Sequence, residues 1–266
     1  MIYKFFIILI LIFIPISSFS LTLSDIALQG ALVIGQDKKA DQISVDGQAY
    51  RISKNGYFVF PVDRDQEKKI NVTLLRNDEV YKIFQVSIIE REFEIQEING
   101  LPSEMVTPSD EILKRIIEEN KKIKKSKKID SDYEFFTNKF ILPVDGIISG
   151  VFGSQRILNG KPRSPHRGLD IAADEGTPIK STNDGEIILA EDDLYYTGGT
   201  IVVDHGHGVK SIYAHLSRVD VKVNDIVSQN DILGTVGSTG RSTGPHLHWG
   251  VMVFDTYVDP ELLLSE

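Results

Sequence analysis

The sequence predicts a mainly β chain, with a small β-sandwich and a larger antiparallel sheet of barrel-sandwich type joined by one charged helix. Three observations predict it. Short alternating runs broken by Asp46-Gly47 and Asn55-Gly56 fill the segment from Leu21 to about Gly100. A helix-start signal and an apolar stripe at helical spacing then follow Thr107. From Phe140 onward glycine-dense β-type runs return, and no long helical period interrupts them.

Taken in order, Lys4 gives a short positive start, Phe5 to Ile16 is almost wholly apolar, and Ser18-Phe19-Ser20 offers small residues for a peptidase. Residues 1–20 thus read as an export signal cleaved after Ser20, with an uncleaved anchor as the alternative, and the rest of the chain as periplasmic or cell-envelope material. Residues 21–105 form the N-terminal β domain, in which Asp46-Gly47 and Asn55-Gly56 have the chemistry of hairpin turns. It has no histidine, which favours a binding or spacer role.

Residues 106–137 hold the linker helix. Thr107-Pro108-Ser109-Asp110 opens it with Pro inside the first turn, and Ile112, Leu113, Ile116 and Ile117 supply its stripe. The run Lys121 to Lys128 gives it a basic end, read as cations near the negative end of the macrodipole or as a contact for anionic lipid or wall polymer. Apart from the signal or anchor, this run is the only membrane contact the sequence offers.

Residues 138–266 form the second β domain. Within it Val221 to Gly234 looks like the turn pattern of barrel-sandwich domains that carry biotin or lipoyl groups. Asn224 and Asn230 stand where glycine is usual, because asparagine tolerates left-handed backbone. No lysine sits at the swinging-arm hairpin, so that likeness is architectural.

Composition narrows the function. A chain of 266 residues, 41% hydrophobic and 25% charged, is long enough for two cores. Its net charge of -9 argues against a general nucleic-acid binder. With no cysteine, any zinc site must be built from His, Asp and Glu.

All six histidines follow Pro165. His246 and His248 share a face if their segment is a strand, and His166 and Asp170, four apart, fall on one side of a strand or helical turn. Imidazoles plus one carboxylate suit Zn²⁺, and three protein ligands with an open fourth position mark a catalytic site. The rival pair His205-Gly-His207-Gly lies between glycines, which suggests a mobile turn and assigns it to turn structure. Spacing alone leaves the ligand set open.

His166-x-x-x-Asp170, then Tyr213-Ala-His215-Leu-Ser217, then Gly237-Ser-Thr-Gly-x-Ser-Thr-Gly-Pro-His246-Leu-His248-Trp resembles the lysostaphin and LytM type zinc metallopeptidases. The likeness covers about Phe140 to Leu264. It implies a zinc endopeptidase acting on stem peptides of peptidoglycan, with His166, Asp170 and His248 as ligands. It also implies that His215 and His246 handle protons and steady the oxyanion. Gln29 to Gly35 and Glu94 to Pro102 are similar to the β domain ahead of the peptidase in some Gram-negative envelope members, which favours cross-links between D-alanine and meso-diaminopimelate over glycine bridges. A non-catalytic scaffold that switches on a wall amidase is the alternative, and retention of all five residues favours the enzyme.

Two departures stand out. Some relatives carry a tyrosine shortly before the first ligand histidine, and Asn159 to Pro165 has none. In latent relatives an asparagine plugs the open zinc position; Asn159 is the conceivable plug, and an Asn-Gly turn is the commoner explanation. Tyr195, Tyr196 and Arg241, on loops beside the sheet, are the expected substrate contacts. The N-terminal domain or the helix either restricts access to the groove until a regulatory envelope protein or the wall binds, or is a plain spacer.

Overall fold

The computed structural model describes residues 23–100 and 107–264, so the expected export signal lies outside the described residues. The chain is mainly β with one α-helix among the described residues, as the sequence predicts. Seven strands build the N-terminal unit: β1 (Ile26–Leu28), β2 (Leu32–Gln36), β3 (Gln42–Val45), β4 (Gln48–Tyr50), β5 (Tyr57–Pro61), β6 (Lys69–Arg76) and β7 (Glu79–Ile89). One sheet runs β1-β7-β6-β3-β4, and β2 pairs β5 in the other. Along β6 the alternation is direct: Ile70, Val72 and Leu74 point inward while Lys69 and Asn71 do not. They meet Val33, Phe58 and Phe60 from the second sheet in one core.

Turn chemistry explains the connections. Asp46 and Gly47 both have positive φ, 46° and 86°, and close the hairpin between β3 and β4. Asn55-Gly56 does not close the expected hairpin, because β5 pairs β2 and its turn carries the chain between sheets. The β6–β7 hairpin turns instead on Asn77 and Asp78, at φ 52° and 63°. The sheet is not wholly antiparallel, since β1 adds to β7 in parallel.

The single helix α1 (Asp110–Lys127) is capped by Ser109, whose Oγ accepts from Ile112 N at 3.4 Å. Pro108 lies before that cap rather than inside the first turn. Of the expected stripe only Ile116 is buried, and Leu113 and Ile117 stay exposed. Lys122 pairs with Glu191 at 2.9 Å, and Lys124, Lys125 and Lys127 crowd the last turn.

The larger sheet has ten strands, all paired antiparallel. They are β9 (Ile147–Gly150), β12 (Leu169–Ala172), β13 (Pro178–Lys180), β14 (Gly185–Leu194), β15 (Gly198–Gly206), β16 (Val209–Val219), β17 (Ile226–Val227), β18 (Ile232–Val236), β19 (His246–Val253) and β20 (Thr256–Val258). The main path runs β17-β14-β15-β16-β19-β12-β9, with β18 joining β16 to β13 and β20 on β19. Asn224 and Asn230 take φ 76° and 77°, the left-handed geometry expected of them. A second small sheet pairs β10 (Gln155–Leu158) with β11 (Lys161–Pro162) and, in parallel, with β8 (Ile95–Ile98).

The two units share apolar surface. Val59 of β5 is buried in the core of the large sheet, with Leu32, Ile34 and Tyr57 packed against it. Polar ties flank this contact: Arg91 pairs with the buried Asp259 at 2.7 Å, and Arg64 Nε donates to Gly153 O at 2.7 Å.

His205 ends up in that core and not in a turn. It lies on β15, with Nδ1 2.6 Å from Asp184 O and Nε2 2.8 Å from Ser211 Oγ. Only His207 occupies the turn, at φ 51°, against the ring of Phe136. Burial, opposed by the Asp184 carbonyl, pushes the His205 pKa from 6.5 down to about 4. Between those values the unfolded chain binds more protons, so stability is full above the upper value and is lost as pH falls through the window. Urea melts are expected to show this residue removing about 3 kcal/mol across it. In His205→Gln that slope should flatten, and an unchanged slope would exclude His205 as its source.

Candidate metal centre and groove

Sheet register brings the site together. Asp170 on β12 stands directly opposite His248 on β19. His166 lies in the loop just before β12, where its backbone N donates to Ser154 O at 2.8 Å and its Nδ1 donates to Val151 O at 3.0 Å. That bond leaves His166 Nε2 as an acceptor. It sits 3.0 Å from Asp170 Oδ1 and 3.0 Å from His248 Nδ1, and the last two atoms are 2.7 Å apart.

Three potential lone-pair donors therefore converge within 3.0 Å of one another. One proton between them cannot satisfy all three, whereas a divalent cation satisfies them together. Two imidazoles and a carboxylate form a donor set that suits zinc. Burial alone would raise the Asp170 pKa, but its contacts with the His166 and His248 rings hold it well below the usual carboxylate range. Burial keeps His166 neutral by lowering its pKa against the pull of Asp170.

Two glycines let the backbone come this close. A Cβ on Gly150 would lie 2.6 Å from Asp170 Oδ2, and one on Gly168 would lie 2.4 Å from Trp249 O and 2.9 Å from His248 Cε1.

Arg156 on β10 completes the cluster from the other side. It donates to Asp170 Oδ2 at 2.6 Å, which leaves Oδ1 turned to the histidines. It lies 14 residues before Asp170 on a different sheet, and no spacing rule marks it.

His215 and His246 form a second pair, ring centroids 4.7 Å apart. His246 shares a face of β19 with His248, as the two-residue spacing predicts, and its Nδ1 lies 2.8 Å from Gly244 O. His215 is placed by a bulge: between Tyr213 and Leu216, paired with Ile201 and Gly199, β16 holds one residue more than β15. Its φ of 68° is a left-handed value that a β-branched or bulky residue rarely takes. Its Nδ1 lies 2.8 Å from Thr239 O, and its ring centroid is 6.2 Å from that of His248. Burial first, then the neighbouring His246 and His248, push its pKa down to about 3, so it is neutral at physiological pH.

Both rings thus anchor one nitrogen on a carbonyl and turn the other into a groove. Two adjoining cavities of about 310 and 370 Å³ make up that groove and share Arg156, Leu158, His215 and Arg241. Tyr196 lines it with the Arg241 guanidinium 4.5 Å from its ring centre. Tyr195 packs edge-on against Tyr196, with its backbone N bonded to Glu119 of α1. Gln96 and Ile98 of β8 wall one cavity, and Ile123 of α1 walls the other. Asn159, at φ 47°, forms the two-residue turn between β10 and β11 with Gly160, and it is not among the groove-lining residues.

A His-Asp-His donor set, with His166 and Asp170 buried and two further imidazoles beside it in a groove on a β-sheet, is the arrangement of a metallopeptidase-type centre. Among known proteins, residues 164–260 match the model of Peptidase family M23.

The chain is 38% identical over 114 residues to the peptidoglycan DD-endopeptidase ShyA of Vibrio cholerae, covering 42% of this chain and 26% of that protein. It is 40% identical over 95 residues to the DD-carboxypeptidase/endopeptidase Mpg of Neisseria meningitidis, covering 36% and 22%. The chain thus spans about a quarter of the length of these curated relatives. A Pseudomonas aeruginosa crystal structure, described as a candidate peptidase M23, aligns at TM-score 0.65 with 28% identity over 89% of this chain and 94% of that one.

Proposed function

We propose that this protein is an exported zinc endopeptidase that cuts peptide cross-links of peptidoglycan. The observation that carries the reading is the convergence of His166 Nε2, Asp170 Oδ1 and His248 Nδ1 within 3.0 Å beside a second histidine pair. These three residues would hold the metal, with Arg156 fixing the carboxylate that faces it. Bound there, Zn²⁺ supplies a Lewis acid and lowers the pKa of a bound water to about 7.

The remaining work falls to the chain's own groups. With Nδ1 protons given to Thr239 O and Gly244 O, His215 and His246 turn bare Nε2 atoms toward the groove. Such atoms can take a proton from the attacking water and return one to the leaving amine. Tyr196 and Arg241 hold the substrate at the rim, with Tyr195 supporting Tyr196. The names of the relatives support peptidoglycan as the substrate and the cell envelope as the place of action. The bond proposed is that between a D-alanine and the side-chain amine of meso-diaminopimelate.

The test is hydrolysis of defined muropeptide dimers by the purified, zinc-loaded protein. Cleavage of the direct cross-link is expected, with loss on chelation and recovery on adding zinc. A zinc-loaded, folded protein that leaves every cross-linked dimer intact would overturn the reading.

A further inference from the structure

The groove runs against the charge of the molecule. The chain carries a net charge of -9, yet Arg156, Arg163, Arg167 and Arg241 line the two cavities. Asp170, the proposed metal ligand, is the only carboxylate among the described lining residues. Arg156 is bound to that carboxylate. Arg241 is half-buried, its guanidinium over Tyr196 and its backbone N bonded to Tyr196 O at 2.9 Å. Arg163 reaches the same cavity from the β10–β11 hairpin, its backbone N 2.8 Å from Arg156 O.

Burial lowers the pKa of Arg241; Tyr196 opposes this, and the nearby Arg156 and Arg163 add to it. A planar guanidinium has five donors and matches a carboxylate with two parallel hydrogen bonds, so arginines lining a groove favour an anionic substrate.

We propose that the groove selects peptides bearing a free carboxylate beside the scissile bond, held by Arg241 and Arg163. This rests on the endopeptidase reading above and adds to it the feature the enzyme recognises. In a cross-link to meso-diaminopimelate the acylated amine sits on a carbon that carries a carboxylate of its own, free next to the bond cut. A glycine bridge has no such group at its interior bonds.

Two synthetic cross-linked dimers test it, identical except that this carboxylate is free in one and a carboxamide in the other. The zinc-loaded protein is expected to favour the free acid by about 10-fold or more in kcat/KM, as charge-assisted pairing would give. In the double variant Arg163→Gln/Arg241→Gln the acid-to-amide ratio should fall toward one, and Arg241→Lys should recover only part of it. The ratio is internal to each protein, so incomplete folding or zinc loading does not distort it. A ratio near one in the unaltered protein, or a ratio unchanged in the double variant, overturns the proposal. Calorimetric binding of both dimers separates the two readings. If neither dimer is cut but the acid binds more tightly and the double variant loses that preference, carboxylate recognition stands and the endopeptidase reading falls.

Discussion

Alanine at His166 or at His248 is expected to abolish zinc binding and peptide hydrolysis together. Each ring contributes one of three converging donor atoms, and two remaining protein ligands are too few for a catalytic zinc site. The loss of hydrolysis should exceed about 1,000-fold, beyond the 10–100-fold typical when only a residue supporting a ligand is changed. His166→Ala also strands the Val151 carbonyl, so the fold is checked by circular dichroism beside the zinc assay. For the third ligand Asp170→Asn is the better variant, since its amide oxygen can still accept from the Arg156 guanidinium, which alanine would leave without an acceptor. Full zinc stoichiometry in both histidine variants would overturn the ligand assignment.

What the sequence made legible follows from local rules. The two-residue spacing of His246 and His248 places both rings on one face of β19, and the Asn-Gly and Asp-Gly pairs mark turns with left-handed backbone. The β class follows from short alternating runs, and one cap signal marks one helix. What local rules miss is non-local, and Asp170 and His215 are assigned in the sequence only through the family resemblance. Asp170 meets His248 only through the register of β12 on β19. His215 should point away from His248 by strict alternation, because its neighbour Ala214 is the residue opposite His248. A bulge reverses it, and nothing in Tyr213-Ala-His215 announces the extra residue. Arg156 is likewise invisible until β10 is laid beside the sheet.

The N-terminal unit teaches the same lesson. A separate β domain on a charged helix suggests a small polar contact that permits movement. Val59 instead fills part of the larger core, and β8 continues the β10–β11 sheet to form a wall of the groove. Inward-facing residues of β5 serve one core, and neighbours on the same strand serve another. Alternation along a strand says which residues are buried, and it is silent on what they are buried against.

His215→Ala and His246→Ala are expected to separate chemistry from metal binding, with zinc retained and turnover lowered by about 100-fold or more. The geometry sets this apart from the ligand variants. His246 Nε2 stands 4.0 Å from Asp170 Oδ1, farther than any distance within the donor cluster, and both rings are anchored on carbonyls outside it. At His215 the backbone supplies a control. Its φ of 68° costs an alanine about 1 kcal/mol, whereas glycine adopts it without strain and asparagine tolerates it well. His215→Gly and His215→Asn should therefore fold at least as well as His215→Ala and be as slow in turnover, because all three lack the imidazole. Were activity to return in His215→Asn, backbone geometry would be what His215 provides. If either alanine variant instead lost zinc in proportion to its activity, that histidine would belong among the ligands.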